Sequence, residues 1–445
     1  MSDEIPADPH THARMPHTRA HEGALHATTP AERRRAFIIL FVSLVCMGAG
    51  QSVIYTVLPP LGRQLGLGPL QITSIFAVSA TIWIFSSAFW GLRSDRWGRK
   101  PVMLLGLIAF AISFACFASA MLAGVYRWIP AALIFPLLIF SRSIYGMFGS
   151  GTSAAAQAYV ADRTAPHERL HGIAIISMAF AFGTTFGPVI GSSLTFLGLL
   201  APFYFISGLA VLSAGAIWFF LPENTAPKSA AHHESKLRWY EPRMFPFMAF
   251  GLCLSLVGSI PIQTVGFFFQ DVLHLSGKMT AAYTSIGLMA SSMAALFAQF
   301  VVVQRFRFSA RTLTLAGIAT AVVSNLLFLL AHDFPTVVLA LILSGLGFGM
   351  ARPGFTSGAS LSVARHEQGA VAGLLNAAGA AGFIFGPLIG WLYEFSPFVP
   401  YVFGAVAMLL LLSAQMLSPV LRNAGAIPAE MEAIEEPTET PVPNN

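Results

Sequence analysis

Charge is scarce in this chain. Only 10% of its 445 residues are Asp, Glu, Lys or Arg, while 55% are hydrophobic. Soluble domains carry about 25% charged residues, so too few charges are present to cover a water-soluble fold of this size. Cysteine is scarcer still. Cys46, Cys116 and Cys253 lie far apart, each inside its own apolar run, which excludes a disulfide framework and a thiolate metal site and leaves three packing thiols. Carboxylates are missing from the middle of every apolar run; Asp95, Asp162, Asp271 and Glu394 come nearest, all close to run ends. No Ser-His-Asp, metal-ligand or paired-carboxylate arrangement falls within one plane, and the histidines sit in tails and loops. The residues therefore point away from an enzyme, and no cofactor or metal is implied.

Long apolar runs are what the chain has in abundance. A bilayer core of about 30 Å needs about 20 apolar residues per helix. Runs of that length predict an all-α integral membrane fold with helices near 36–60, 71–92, 101–123, 131–158, 171–196, 201–221, 245–270, 279–303, 311–331, 335–362, 369–394 and 397–420. No cleavable signal peptide precedes them; the first run follows Arg33-Arg34-Arg35 and reads as an uncleaved first helix. Five units follow: a disordered tail over 1–35 with His10, His12, His17, His21 and His26, a six-helix bundle over 36–221, a polar linker over 222–243, a second bundle over 244–420, and an acidic disordered tail over 421–445.

The basic residues orient the chain. With both ends in the cytoplasm, the outside receives only Arg63, Arg127 and Lys278, and the inside 20 of the 25 Lys and Arg. Arg142 and Arg352 remain inside helices. This bias places both termini in the cytoplasm and fits a multi-pass protein of a bacterial-type cytoplasmic (inner) membrane rather than a nucleic-acid-binding one. The halves repeat: Gly183-Thr-Thr-Phe-Gly187-Pro188-Val-Ile-Gly191 in the fifth helix returns as Gly382-Phe-Ile-Phe-Gly386-Pro387-Leu-Ile-Gly390 in the eleventh. Parallel six-helix repeats with the substrate between them describe one transporter architecture.

Between the second and third runs stands Gly91-Leu-Arg-Ser-Asp95-Arg96-Trp-Gly98-Arg99-Lys100-Pro101. Gly91 is expected to end one helix, with the next beginning near Pro101. This stretch resembles the signature loop of the major facilitator superfamily, failing only at the spacing between leucine and aspartate. The resemblance implies two six-helix bundles related by pseudo-two-fold symmetry. It also implies a gate motif of Gly91, Asp95, Arg96, Gly98, Arg99 and Lys100, with Asp95 steadying the start of the eleventh helix. Arg142-Ser-Ile-Tyr145-Gly146-Met-Phe-Gly149 resembles a second family motif, whose arginine is linked to proton transfer. The repeated glycine–proline run (Gly183, Gly187, Pro188, Gly191, Gly382, Gly386, Pro387, Gly390) is similar to that of the drug:proton antiporter and tetracycline-exporter-like group. Packing alone is a sufficient reason for its glycines.

One departure stands out. Where proton-coupled relatives carry an acid in the first helix, this chain has Gln51 and Tyr55. Two intramembrane arginines, one per half, have no evident internal anion. A charge at such depth costs about 2.5 kcal/mol or more, so each is expected to face the interior. Arg142, Arg352 and Asp271 are the coupling candidates, although Arg352 could instead bond carbonyls freed by Pro353 and Asp271 could be a solvated loop acid. Gln51, Tyr55, Tyr145, Gln157, Gln263 and Asn376 are cavity candidates. Trp83, Phe267, Phe268 and Phe269 could contact an organic ligand, but lipid-facing packing is the expectation for all four. The favoured function is proton-coupled export of a small organic compound, anionic or zwitterionic, by alternating access. Uptake of a metabolite by symport and a non-transporting membrane sensor are the competing readings. The expected partners are the substrate, protons and the bilayer, with the chain acting as a monomer and binding no nucleic acid.

Overall fold

The computed structural model describes residues 30–164, 169–222, 241, 244–306, 308–361 and 368–418. The histidine-containing tail before residue 30, most of the linker and the acidic tail lie outside the described residues.

Twelve helical crossings follow one another, and no strand occurs among the described residues. They are α1 (Pro30–Gln64), α2 (Pro69–Trp97), α3 (Arg99–Val125), α4 (Ala131–Arg163), α5 (Arg169–Leu194), α6 (Ala201–Phe220), α7 (Phe245–Asp271), α8 (Gly277–Phe297, extended by the π-helical Ala298–Val303), α9 (Ala310–Leu329), α10 (Phe334–Leu361), α11 and α12 (Val399–Leu417). Helix α11 comes in two pieces, Gln368–Ala381 and Gly386–Phe395, joined by the 3-10 turn Gly382–Phe385. Eleven helices are individually long and apolar enough to span a bilayer among the described residues; broken α11 is the remaining crossing. Side chains such as Leu212, Trp218, Leu410 and Met416 point outward and exposed, as a lipid-facing belt requires.

The packing repeats. In the first half α1 packs on α5 and α6, α4 on α2 and α3, and α3 on α6; in the second, α7 packs on α11 and α12, α10 on α8 and α9, and α9 on α12. Two equivalent seams join the halves, α2 against α11 and α8 against α5. This is the pseudo-two-fold arrangement that the sequence repeat predicts.

Three local expectations are corrected. Gly91 does not end its helix: α2 continues to Trp97, and the single residue Gly98, at φ +98°, turns the chain into α3. Nothing crowds the Gly91 position, so the helix runs on with its basic residues at the rim, and the turn falls at the glycine that adopts a left-handed φ. Helix α1 starts at Pro30, which places Arg33, Arg34 and Arg35 on its opening turns. Phe267, Phe268 and Phe269 are fully buried rather than lipid-facing; Phe268, for example, meets Phe328, Phe398 and Tyr401 edge-on, centroids 5.6–5.7 Å apart.

The two glycine–proline runs also diverge. In α5 the glycines lie against α1, where Gly183 abuts Val45 and Gly187 abuts Ala49 and Ser52. In α11, Gly382 lies on Ser255 of α7, but Gly386 reaches Thr73 of α2 and Gly390 packs on the first turn of α2. Helix α11 thus changes partner midway, and the 3-10 turn falls at that change, where Pro387 supplies no N–H to Phe383. A side chain at Gly187 would place its Cβ 2.5 Å from the Ala49 carbonyl oxygen. Gly187→Val is therefore expected to cost about 1–3 kcal/mol and to lower the melting temperature of the purified protein. Gly208→Ala, in open space within α6, should hold or slightly raise it, because alanine is the better helix former. Equal melting temperatures for the two variants would rule out the close α1–α5 approach.

Candidate functional site

The halves meet at the end remote from the tails. There Arg63, at the close of α1, pairs with Asp271, at the close of α7 (2.5 Å), and Tyr393 of α11 donates to the same carboxylate oxygen (3.0 Å). Glu394 accepts from the backbone N–H of Leu70 in the first turn of α2 (3.4 Å), a helix N-terminus that favours a carboxylate. Among the described residues, no side-chain hydrogen bond or ion pair joins the halves at the tail end. On α2, Ile72, Thr73, Ile75 and Phe76 near the far end are buried, whereas Phe85 and Phe89 toward the tails are exposed. The molecule is closed at its far end.

Between the halves lies a cavity of about 460 Å³. The α2–α4 seam aims its most unusual residue. Gly146 lets the α2 backbone come within 2.7 Å of where its Cβ would stand, Ser79 donates to the Arg142 carbonyl (3.2 Å), and Ser86 donates to that of Gly146 (2.8 Å). So positioned, the Arg142 side chain is only 1% exposed. One N–H donates to Gln51 Oε1 (2.9 Å), Gln51 in turn donates to the Tyr55 hydroxyl (3.3 Å), and the guanidinium carbon lies 4.6 Å from the Tyr145 ring centre. Arg142 Nε and Nη1 are buried with no partner among the described residues. The aromatic wall continues through Trp83, 5.1 Å from Tyr145, and Phe76, 4.8 Å from Tyr55.

Arg352 faces the same cavity from α10. It does not bond carbonyls freed by Pro353; its guanidinium lies against Gly379 of α11 and makes no hydrogen bond or ion pair among the described residues. Thr356 donates to the Arg352 carbonyl (3.0 Å), an ordinary side-chain bond to the carbonyl four residues back. Two guanidinium groups, one from each half, therefore border one cavity with no carboxylate among its lining residues.

The other candidates scatter. Gln51, Tyr55 and Tyr145 line the cavity. Gln157 does not. Gln263 is buried between α7 and α11, donating to Ser259 (3.0 Å) with its own oxygen unpaired. The Asn376 side chain lies outside the described residues. In the signature loop, Asp95 pairs with Arg99 (2.6 Å), which also reaches Asp162 (3.3 Å) and donates to Ser94 (2.6 Å). Lys100 donates to the Leu221 carbonyl (2.9 Å) and Arg163 to that of Pro222 (3.1 Å), capping the end of α6; Arg96 is exposed. The residues that sequence reasoning left unpaired are Arg63, Tyr393 and Glu394. Their signal was present, since charges and a tyrosine stand at the ends of three apolar runs, but nothing in the sequence pairs one run's end with another's.

Comparison with known proteins agrees with this architecture. Residues 40–387 and 281–440 match the Major Facilitator Superfamily. The chain is 26% identical over 410 residues to multidrug resistance protein 2 of Bacillus subtilis (strain 168), covering 89% of this chain and 98% of the relative. It is 27% identical over 370 residues to the class C tetracycline resistance protein of Escherichia coli, covering 80% and 88% respectively. The crystal structure of the nucleoside transporter NupG superposes with a TM-score of 0.69 at 15% identity, over 86% of this chain and 99% of that one. The chain belongs to the major facilitator superfamily. It is a multi-pass membrane transporter and not an enzyme.

Proposed function

We propose that the protein exports a small organic compound carrying negative charge, an anion or a zwitterion, by alternating access driven by proton entry. The observation that carries this reading is the pairing of Arg142 and Arg352 across one cavity whose lining holds no carboxylate. A guanidinium presents a planar fork of donors matched to a carboxylate, and two such forks without counter-charges repel an organic cation. Relatives named for multidrug and tetracycline resistance support export as the direction. The tails face the cytoplasm of a bacterial-type inner membrane, as the distribution of Lys and Arg requires. The structure is then open inward and closed outward. Asp271, held by Arg63 of one half and Tyr393 of the other, is the carboxylate placed to exchange a proton as the outer end opens. One chain provides the complete cavity and acts as a monomer.

Flux into proteoliposomes tests this reading with paired probes, an aryl carboxylate and an aryl ammonium of equal size. The carboxylate is expected to move in response to a pH gradient and the ammonium to be excluded. Arg352→Ala should slow the carboxylate about 10-fold, the value of one lost charge-assisted contact. Transport of the ammonium, or equal loss of both probes in Arg352→Ala, would overturn the anion reading.

A further inference from the structure

The cavity has an annex. Beyond Arg352 a second compartment of about 250 Å³ opens between α7, α8, α10 and α11. Arg352, Ser292 and Phe383 border both spaces. Both walls are mostly apolar and both carry hydroxyls, but those of Ser52, Ser79 and Thr184 in the main cavity are already spent on backbone carbonyls. The main cavity presents the flat rings of Tyr55, Phe76, Trp83 and Tyr145 from the first half. The annex presents hydroxyls: Ser291 and Ser292 of α8 and Ser344 of α10.

Serine and threonine in an apolar helix ordinarily satisfy their hydroxyls on a carbonyl three or four residues back. Ser285 does so on Ala281 (2.9 Å) and Thr264 on Ile260 (2.7 Å). Ser255 and Ser259, also in the annex wall, donate to Gly379 and Leu256. Ser291, Ser292 and Ser344 make no such bond among the described residues. Ser344 is only 4% exposed, so its free hydroxyl cannot be satisfied at an outer surface. Three unspent hydroxyls and the unpaired Arg352 guanidinium thus border one compartment that offers donors and lacks a counter-charge. These donors face the compartment rather than being sealed in the packing, and a compartment so equipped favours an occupant rich in acceptors.

We infer that the annex is a head-group subsite for the carboxylate of an amphiphilic aryl compound, with the ring system lying in the main cavity. This rests on the anion reading above and deepens it. Arg352 makes the charged contact, Ser292 and Ser344 donate to the carboxylate oxygens, and Trp83 and Tyr55 flank the aromatic body. The subsite divides recognition between the halves: the second half holds the carboxylate in the annex, and the first half packs the ring and lends the guanidinium of Arg142 to the remaining negative charge. A ligand spanning both reports on their relative position, which alternating access needs.

Equilibrium binding to the detergent-purified full-length protein separates the parts, with naphthoate and the uncharged naphthamide as probes. The wild type is expected to prefer naphthoate. The double substitution Ser292→Ala, Ser344→Ala should weaken naphthoate about 10-fold and naphthamide less than about threefold, because hydrogen bonds to a charged acceptor are the stronger ones. Retained naphthamide binding shows that the variant is folded. Trp83→Ala should weaken both probes alike. If the double variant binds naphthoate as the wild type does, or loses both probes equally, the annex is not the head-group subsite. Arg352→Gln tests the underlying reading separately. A loss of about 30-fold confined to naphthoate sustains it whatever the serines do. A wild type that binds naphthoate no better than naphthamide overturns both.

Discussion

Arg142→Leu is expected to abolish transport while leaving the protein at least as stable as the wild type. The guanidinium is buried, makes one hydrogen bond, to Gln51, and leaves Nε and Nη1 unpaired among the described residues. Each orphaned donor costs about 1–3 kcal/mol, and a buried charge without a counter-ion is replaced by an apolar side chain at little cost or with a gain. Losing the Gln51 bond, donated by a charged group, removes about 1.5–3 kcal/mol, which relief of the two orphaned donors offsets. A structural arginine predicts the opposite, a large fall in melting temperature. If instead the two free N–H groups meet an anionic substrate, each bond to charge contributes about 1.5–3 kcal/mol, and their joint loss slows transport about 100-fold or more. Arg142→Lys should rescue poorly, because an ammonium is a point charge and cannot hold Gln51 and present two further donors in one plane. Melting temperature and proteoliposome flux, measured on the same preparations, decide the matter. A destabilised but still transporting Arg142→Leu protein would assign the residue to the scaffold.

Much of this fold was legible before any coordinates. Hydropathy gave twelve crossings because each apolar run is about as long as the bilayer core is thick, and the repeated glycine–proline run placed the two halves in register. Boundaries were less legible where helices continue into charged rims: Arg93 and Arg96 extend α2 past the apolar run to Gly98. The break in α11 was hidden because its motif is nearly the same as that of α5. What differs is the neighbour, one helix throughout for α5 and a change from α7 to α2 for α11. The cavity was legible in its charges and illegible in its shape. Arg142 and Arg352 announced themselves by the cost of burying a cation, and Gln51 and Tyr55 by polarity. Gln157 and Gln263 are as polar as Gln51, yet helix rotation turns them elsewhere. Ser291, Ser292 and Ser344 are ordinary in an apolar helix, and only the missing hydrogen bonds distinguish them.

The geometry also separates what each end of the molecule does. At the tail end, Asp95, Arg99 and Asp162 bond within the first half, while Lys100 and Arg163 cap α6. At the far end the contacts cross between halves. A transporter alternates by exchanging one set of cross-half contacts for another, and the far-end set is the one in place here. The carboxylate of Asp95 is engaged by Arg99 while the far end is closed.

Reversing the charge at Asp271 is accordingly expected to open the far end. Asp271→Arg would face Arg63 with a like charge and deprive Tyr393 of its acceptor, replacing an attraction by a repulsion at a separation of 2.5 Å. At a partly solvated rim such a change is worth about 1.5–3 kcal/mol, a shift of about 10- to 100-fold in the population of the open state. Thr73 is the natural reporter, since it is fully buried against Gly386 and Gly390 across the seam. A single cysteine at position 73, with the three native cysteines replaced by alanine, should react with a membrane-impermeant maleimide from the far side 10- to 100-fold faster in Asp271→Arg, as that population shift implies. Asp271→Asn imitates a protonated acid and should produce a smaller increase in the same direction, which links proton binding to outward opening. The double reversal Arg63→Asp, Asp271→Arg restores the attraction and should return labelling toward the wild-type rate and recover transport. Glu394→Gln weakens only a carboxylate at a helix N-terminus, an interaction of about 0.3–1 kcal/mol, and should change labelling by less than about fivefold. If Asp271→Arg labels at the wild-type rate, or the double reversal leaves the far end open, the Arg63–Asp271–Tyr393 clasp does not hold the outer gate.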